Sequence, residues 1–95
     1  MNKIETLVAE LRDAITNYRI AIAGFVVDEK NDFLRVVGQA EMIANALEVG
    51  AVDNSKLSIY AFSRQVSDSY YSQPSAFKAL ELKVSAIEKY IFEGL

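Results

Sequence analysis

Ninety-five residues, 52% of them apolar and 24% charged, set the scale of one domain around one hydrophobic core, with a net charge of −3. The absence of Cys excludes a disulfide framework and a thiolate metal site, and the absence of His removes the commonest general base and zinc ligand, so no cofactor, metal or catalytic residue is expected. One Pro and four Gly argue against a loop-rich all-β chain, and the acidic balance argues against a nucleic-acid partner.

The first predicted element runs from Asn2 to Val27. Ile4, Val8, Leu11, Ile15, Tyr18, Ile22 and Phe25 recur at alternating steps of 4 and 3, the seam of a long amphipathic helix that must be packed along its length. Asn2 with Glu5 three residues later has the order of a capping box. Lys3, Glu10, Asp13 and Asn17 fall on the opposite, solvated face. Beyond Ile20 the polar face disappears, and Ile20, Gly24 and Val27 form a second apolar stripe. Glu5 and Glu10 interrupt any signal-like region, and the charge-free run Ile20 to Val27 is far short of the ~20 residues of a membrane span, so a cytoplasmic protein is expected.

Asp28 to Asp32 reads as a polar turn, with Asn31 or Asp32 capping a second helix that reaches about Val49. Its seam is Phe33, Val37, Ala40, Ala44 and Leu47, with Val36 and Ile43 beside it, and Gly50 is placed to stop it. Leu34, Gly38, Met42 and Val49 lie on the other side, again as a second stripe. An alternative takes about 19–37 as a β-hairpin within an α+β fold.

Ala51 to Ser55 reads as the next turn, capped by Asp53 or Ser55. A third helix follows over roughly Lys56 to Tyr71, seamed by Ile59, Phe62, Val66 and Tyr70. Ser72-Gln73-Pro74 closes it and opens a fourth, ending near Glu93, with Phe77, Leu80, Val84, Ile87 and Ile91 inward. Four seams joined by short connections predict an all-α antiparallel four-helix bundle occupying residues 1–95 as one domain.

Three features carry the functional expectations. The second stripe of Ile20, Gly24, Val27, Leu34, Gly38, Met42 and Val49 is an apolar face left over once the core is filled, which points to an oligomer interface, a homodimer first. On helix 3, Tyr60, Arg64, Ser67 and Tyr71 follow at steps of 4, 3 and 4 opposite the seam, and Tyr with Arg is the pairing most enriched where proteins grip partners. The same pair stacks on planar anionic ligands, so a small-molecule or nucleotide-binding protein is the alternative.

The remaining polar groups suit chemistry less well. Asp28, Glu29 and Asp32 lack the order of a calcium loop, and Glu41 with Glu48 lacks the His of a di-metal helix pair. An enzyme holding a dicarboxylate needs converging cations, yet Arg12, Arg19 and Lys30 precede a helix whose inward face is apolar. The expectation is a non-enzymatic, self-associating interaction module that binds another protein. In size and architecture it is similar to small bacterial or phage adaptors, inhibitors and immunity proteins, a likeness of form alone.

Overall fold

Each of the four seams becomes the inward face of a helix. The computed structural model describes residues 3–25, 27–67 and 73–93, apart from the side chains of Val27, Glu29, Val52 and Glu93. The elements are α1 (Lys3–Ile22), α2 (Val27–Glu48), α3 (Val52–Ser67) and α4 (Phe77–Glu93). They form an all-α four-helix bundle with principal extents of 40 × 24 × 19 Å. No strand occurs among the described residues, and residues 19–25 and 27–37 are helix and turn, so the hairpin alternative is excluded.

The arrangement is up-down-up-down. Arg12 and Arg19 of α1 meet Glu48 and Glu41 of α2, which only antiparallel helices allow, and Glu10 of α1 meets Lys83 of α4. Around the bundle α1 therefore lies between α2 and α4, and α3 packs far more extensively on α2 than on α4. Tyr18 occupies the middle of the core, with Phe33 of α2 and Phe77 of α4 set edge-on to its ring at 6.4 Å. Leu11, Ile22, Ile43, Ile59, Leu80, Ile87 and Ile91 fill the space above and below, each at about 1.5–3 kcal/mol of burial.

Helix boundaries depart from the expected ones for local reasons. Helix α1 stops at Ile22 and does not continue to Val27. Its last turn tightens into three-residue bonds, Ala23 N–H to the Ile20 carbonyl and Phe25 N–H to the Ile22 carbonyl, and Gly24 falls in the turn. Phe25 thereby swings back onto Phe33, ring centroids 5.1 Å apart. Asp28 to Asp32, expected as the turn, lies inside α2. Neither Asn31 nor Asp32 caps it, and Asp28 sits in the first turn, where a carboxylate favours the helix dipole. The Asn2 cap lies outside the described residues.

The second reversal is tighter. Gly50 adopts φ +75°, its N–H donates to the Leu47 carbonyl at 3.1 Å, and Ala51 N–H donates to the Ala46 carbonyl at 2.8 Å. These are the paired bonds of a Schellman stop, with Gly at the left-handed position. Helix α3 then begins at once, at Val52 and not Lys56. Neither Asp53 nor Ser55 caps it, because Ser55 lies one turn in, fully buried, with both its N–H and its Oγ–H donating to the Ala51 carbonyl. Before α4, a turn in which Phe77 N–H donates to the Pro74 carbonyl delays the helix to Phe77. Tyr70 and the expected end of helix 3 lie outside the described residues.

Two expectations follow. Gly50→Ala lowers stability by roughly 1–2 kcal/mol through left-handed strain, whereas Gly38→Ala, mid-helix with open space where its Cβ would stand, raises it by about 0.5–1 kcal/mol; urea unfolding of the two variants reads the opposite signs. Tyr18 is fully buried and donates its hydroxyl to Gln73 Oε1 at 2.5 Å, and burial raises its pKa above the ordinary 10.0. Its contribution is thus whole below the unfolded value and lost as pH climbs past it, so stability falls above about pH 10, and less steeply in Tyr18→Phe.

Candidate contact surface

The outward residues of α2 are the starting point, because their spacing sets them opposite the buried seam. Leu34, Met42 and Val49 are exposed, Val49 at 78% and Met42 at 54%. Between them Gly38 is half-buried, and a Cβ added there would meet nothing within 4 Å, so none of the described residues packs directly on Gly38. These four residues are therefore surface, not the edge of a wider core. The α1 half of the expected stripe does not assemble. Gly24 belongs to the turn, Val27 opens α2 with its side chain outside the described ones, and Ile20 stands exposed among Asp13, Thr16 and Asn17.

The Schellman reversal brings the end of α2 and the start of α3 together, and a groove of about 430 Å³ opens between them. Met42, Ala46 and Val49 form one wall, Leu57 and Ser58 the other, and Ala51 closes the corner, with Asn45 and Asn54 at the margin. Leu57, 66% exposed, is the residue that sequence reasoning missed. Its signal was present, since Leu57 lies three residues before Tyr60 and extends the 3-and-4 stepping of the Tyr/Arg stripe back by one turn.

The expected α3 face is only partly brought together. Tyr60 is exposed, but its ring leans on Phe92 of α4 with centroids 6.1 Å apart, and Lys56 Nζ stands 5.2 Å from the centre of the same Phe92 ring. Arg64 with Leu57, Tyr60 and Ala61 lines a groove of about 400 Å³. Ser67 donates its hydroxyl to the Arg64 carbonyl at 2.9 Å, so it serves its own helix, and Tyr71 lies outside the described residues. Leu57 borders both grooves, and the two surfaces that looked separate in the sequence join through it.

Of the eight large apolar side chains exposed among the described residues, four stand on α2 and α3, namely Leu34, Met42, Leu57 and Tyr60, Val49 lies in the turn between them, and a sixth, Phe92, touches Tyr60. Ile20 and Leu82 are scattered singles of the kind any surface carries.

Four of the charged residues weighed for chemistry pair across α1 and α2. Arg12 donates from Nε to Glu48 at 3.1 Å and from Nη2 to Asn45 Oδ1 at 3.0 Å, and Arg19 pairs with Glu41. Residues 12 and 19 on α1, seven apart, thus match 48 and 41 on α2, seven apart in reverse. Equal spacing on antiparallel helices makes two successive bridges, not a converging cluster of cations. Arg35 approaches Asp32 at 3.9 Å, which leaves Arg64 as the arginine without a carboxylate partner among the described residues. No described helix is long and apolar enough to cross a membrane.

The chain matches no protein-family model, no curated protein and no solved structure. The bridges of α1 to α2 are expected to be worth little, since each partner is substantially exposed. A double-mutant cycle of Arg19→Ala and Glu41→Ala is expected to give a coupling energy of about 1 kcal/mol or less.

Proposed function

We propose that this chain is a non-enzymatic protein-interaction module, a small self-associating helical bundle that acts by binding a partner protein, as adaptors, inhibitors and immunity-type proteins do. One observation carries the reading: six of the eight exposed large apolar side chains gather on or against α2 and α3. A contiguous apolar patch rimmed by polar groups is the usual mark of a contact site on a small soluble domain. Its margin holds Tyr60, Lys56 and Arg64, and aromatic anchors beside guanidinium groups supply most of the binding energy at protein interfaces.

A protein partner suits this margin better than the planar ligand that Tyr and Arg would also admit. Stacking a planar ligand is best served by a ring open on both sides beside the cation, and one side of the Tyr60 ring leans on Phe92, whose own ring is approached by Lys56. The resulting cluster is a preformed bump for another surface to pack on.

Site-specific photocrosslinking in the cells from which the chain comes tests this. With a benzophenone amino acid at Tyr60, a discrete adduct heavier than the chain by something other than its own mass is expected, lost when Arg64→Glu is added. The same probe at Leu82, an exposed side chain of α4, should give none. Equal adducts at both positions, or none at Tyr60, would count against a partner on this face.

A further inference from the structure

We propose that the bundle opens along one side, between α3 and α4: α4, carried on α1, parts from α3 while α1, α2 and α3 stay packed. The motion requires no partner and stands apart from the interaction reading.

The four sides of the bundle are not built alike. Helix α3 is tied to α2 by the reversal at Gly50 and by the most extensive packing in the molecule. Arg12 and Arg19 join α1 to α2, and Lys83 joins α4 to Glu10 of α1. Of the four well-packed helix pairs, α3 and α4 pack least, and no hydrogen bond or ion pair joins them among the described residues.

A groove of about 270 Å³ runs between these two helices. Three serines and the carboxylates of Glu81 and Glu88 line it together with Phe62, Val66 and Val84, which are each 6% exposed or less. Hydroxyls and carboxylates that already meet water lose little hydration when the helices part, so the apolar cost of opening rests on the few buried side chains beneath them. The aromatic contacts that cross this side stand at opposite ends of α4. Phe62 stacks on Phe77 with centroids 6.5 Å apart, and Tyr60 meets Phe92 at 6.1 Å, where both rings are exposed. Sub-global opening follows the elements with the least buried apolar contact between them, and here that selects α3 from α4.

Labelling of buried thiols tests this, and a chain without Cys gives a clean background. Val84→Cys places the thiol beneath the groove. The matched control is Val37→Cys, one turn beyond Phe33 on the face of α2 that meets Tyr18 of α1. Each folded variant, verified by circular dichroism, reacts with a thiosulfonate reagent, and its rate is compared with the rate that its own global unfolding in urea allows. Val37→Cys should react at that limit, and Val84→Cys at least roughly tenfold above it, accelerating further in low urea. Val66→Cys, on the α3 side of the same groove, should behave as Val84→Cys does, and it decides the matter by the same criteria if Val84→Cys fails to fold. Adding Gly50→Ala, at a reversal that stays intact in the opened form, should speed Val37→Cys about tenfold and leave Val84→Cys within about twofold. Labelling of Val84→Cys only at its global-unfolding limit, or equal acceleration of both thiols by Gly50→Ala, would overturn the proposal. So would a rate at Val84→Cys that ignores urea, which is what a reagent entering a static groove would give.

Discussion

The reversal at Gly50 is the constraint on which the surface of this protein depends. One residue in the left-handed region lets the chain end α2 and begin α3 within two positions, with the Leu47 and Ala46 carbonyls satisfied inside the turn. So short a connection leaves α3 no freedom but to return along α2, and these two helices make the most extensive packing in the bundle. It also sets Val49 and Ala51 at the corner beside Leu57, which creates the groove. A longer, polar connection at this point would have let α3 drift and would have covered or separated those side chains.

On the other side of α2 a different device operates. Helix α1 is held by an apolar seam that culminates in Tyr18, and the seam is flanked by the bridges from Arg12 and Arg19. The seam supplies the energy, since each buried Leu, Ile or Phe outweighs an exposed ion pair. The bridges supply register: a slip of α1 by one turn along α2 would break both together and bring unlike neighbours into the core. Arg12, Arg19, Glu41 and Glu48 were the residues most easily mistaken for a catalytic or metal-binding set, and their equal seven-residue spacing is what assigns them to alignment.

With one flank of α2 given to α1 and the other to α3, its remaining face carries exposed side chains among the described residues. Gly38 makes that face flat at its middle, and Met42 and Val49 make it apolar toward its end. Of the four well-packed helix pairs, α3 and α4 pack least, and this pair is bridged at one end by the Tyr60, Phe92 and Lys56 cluster, so the aromatic margin of the patch also helps to fasten the bundle. Contact chemistry and structural support therefore share the same side chains on α3.

The sequence by itself determined the four helices and the side of each that turns inward, because the 3-and-4 spacing of Val8, Leu11, Ile15 and Tyr18, or of Phe77, Leu80, Val84 and Ile87, is a local property that any packed helix must express. It also located the stop at Gly50, where one residue type meets one backbone requirement. The start of α2 was not legible, since Asp28 to Asp32 is equally at home in a turn or in a helix's first turns, and Phe25 packs on Phe33 from the turn that follows α1. Nor could spacing tell that Ile20 would stand alone, that Gly24 would leave its helix, or that Leu57 would join Met42 and Val49. Those outcomes depend on which helices lie side by side and at what height, a relation between residues far apart in the chain that exists only once the core has closed.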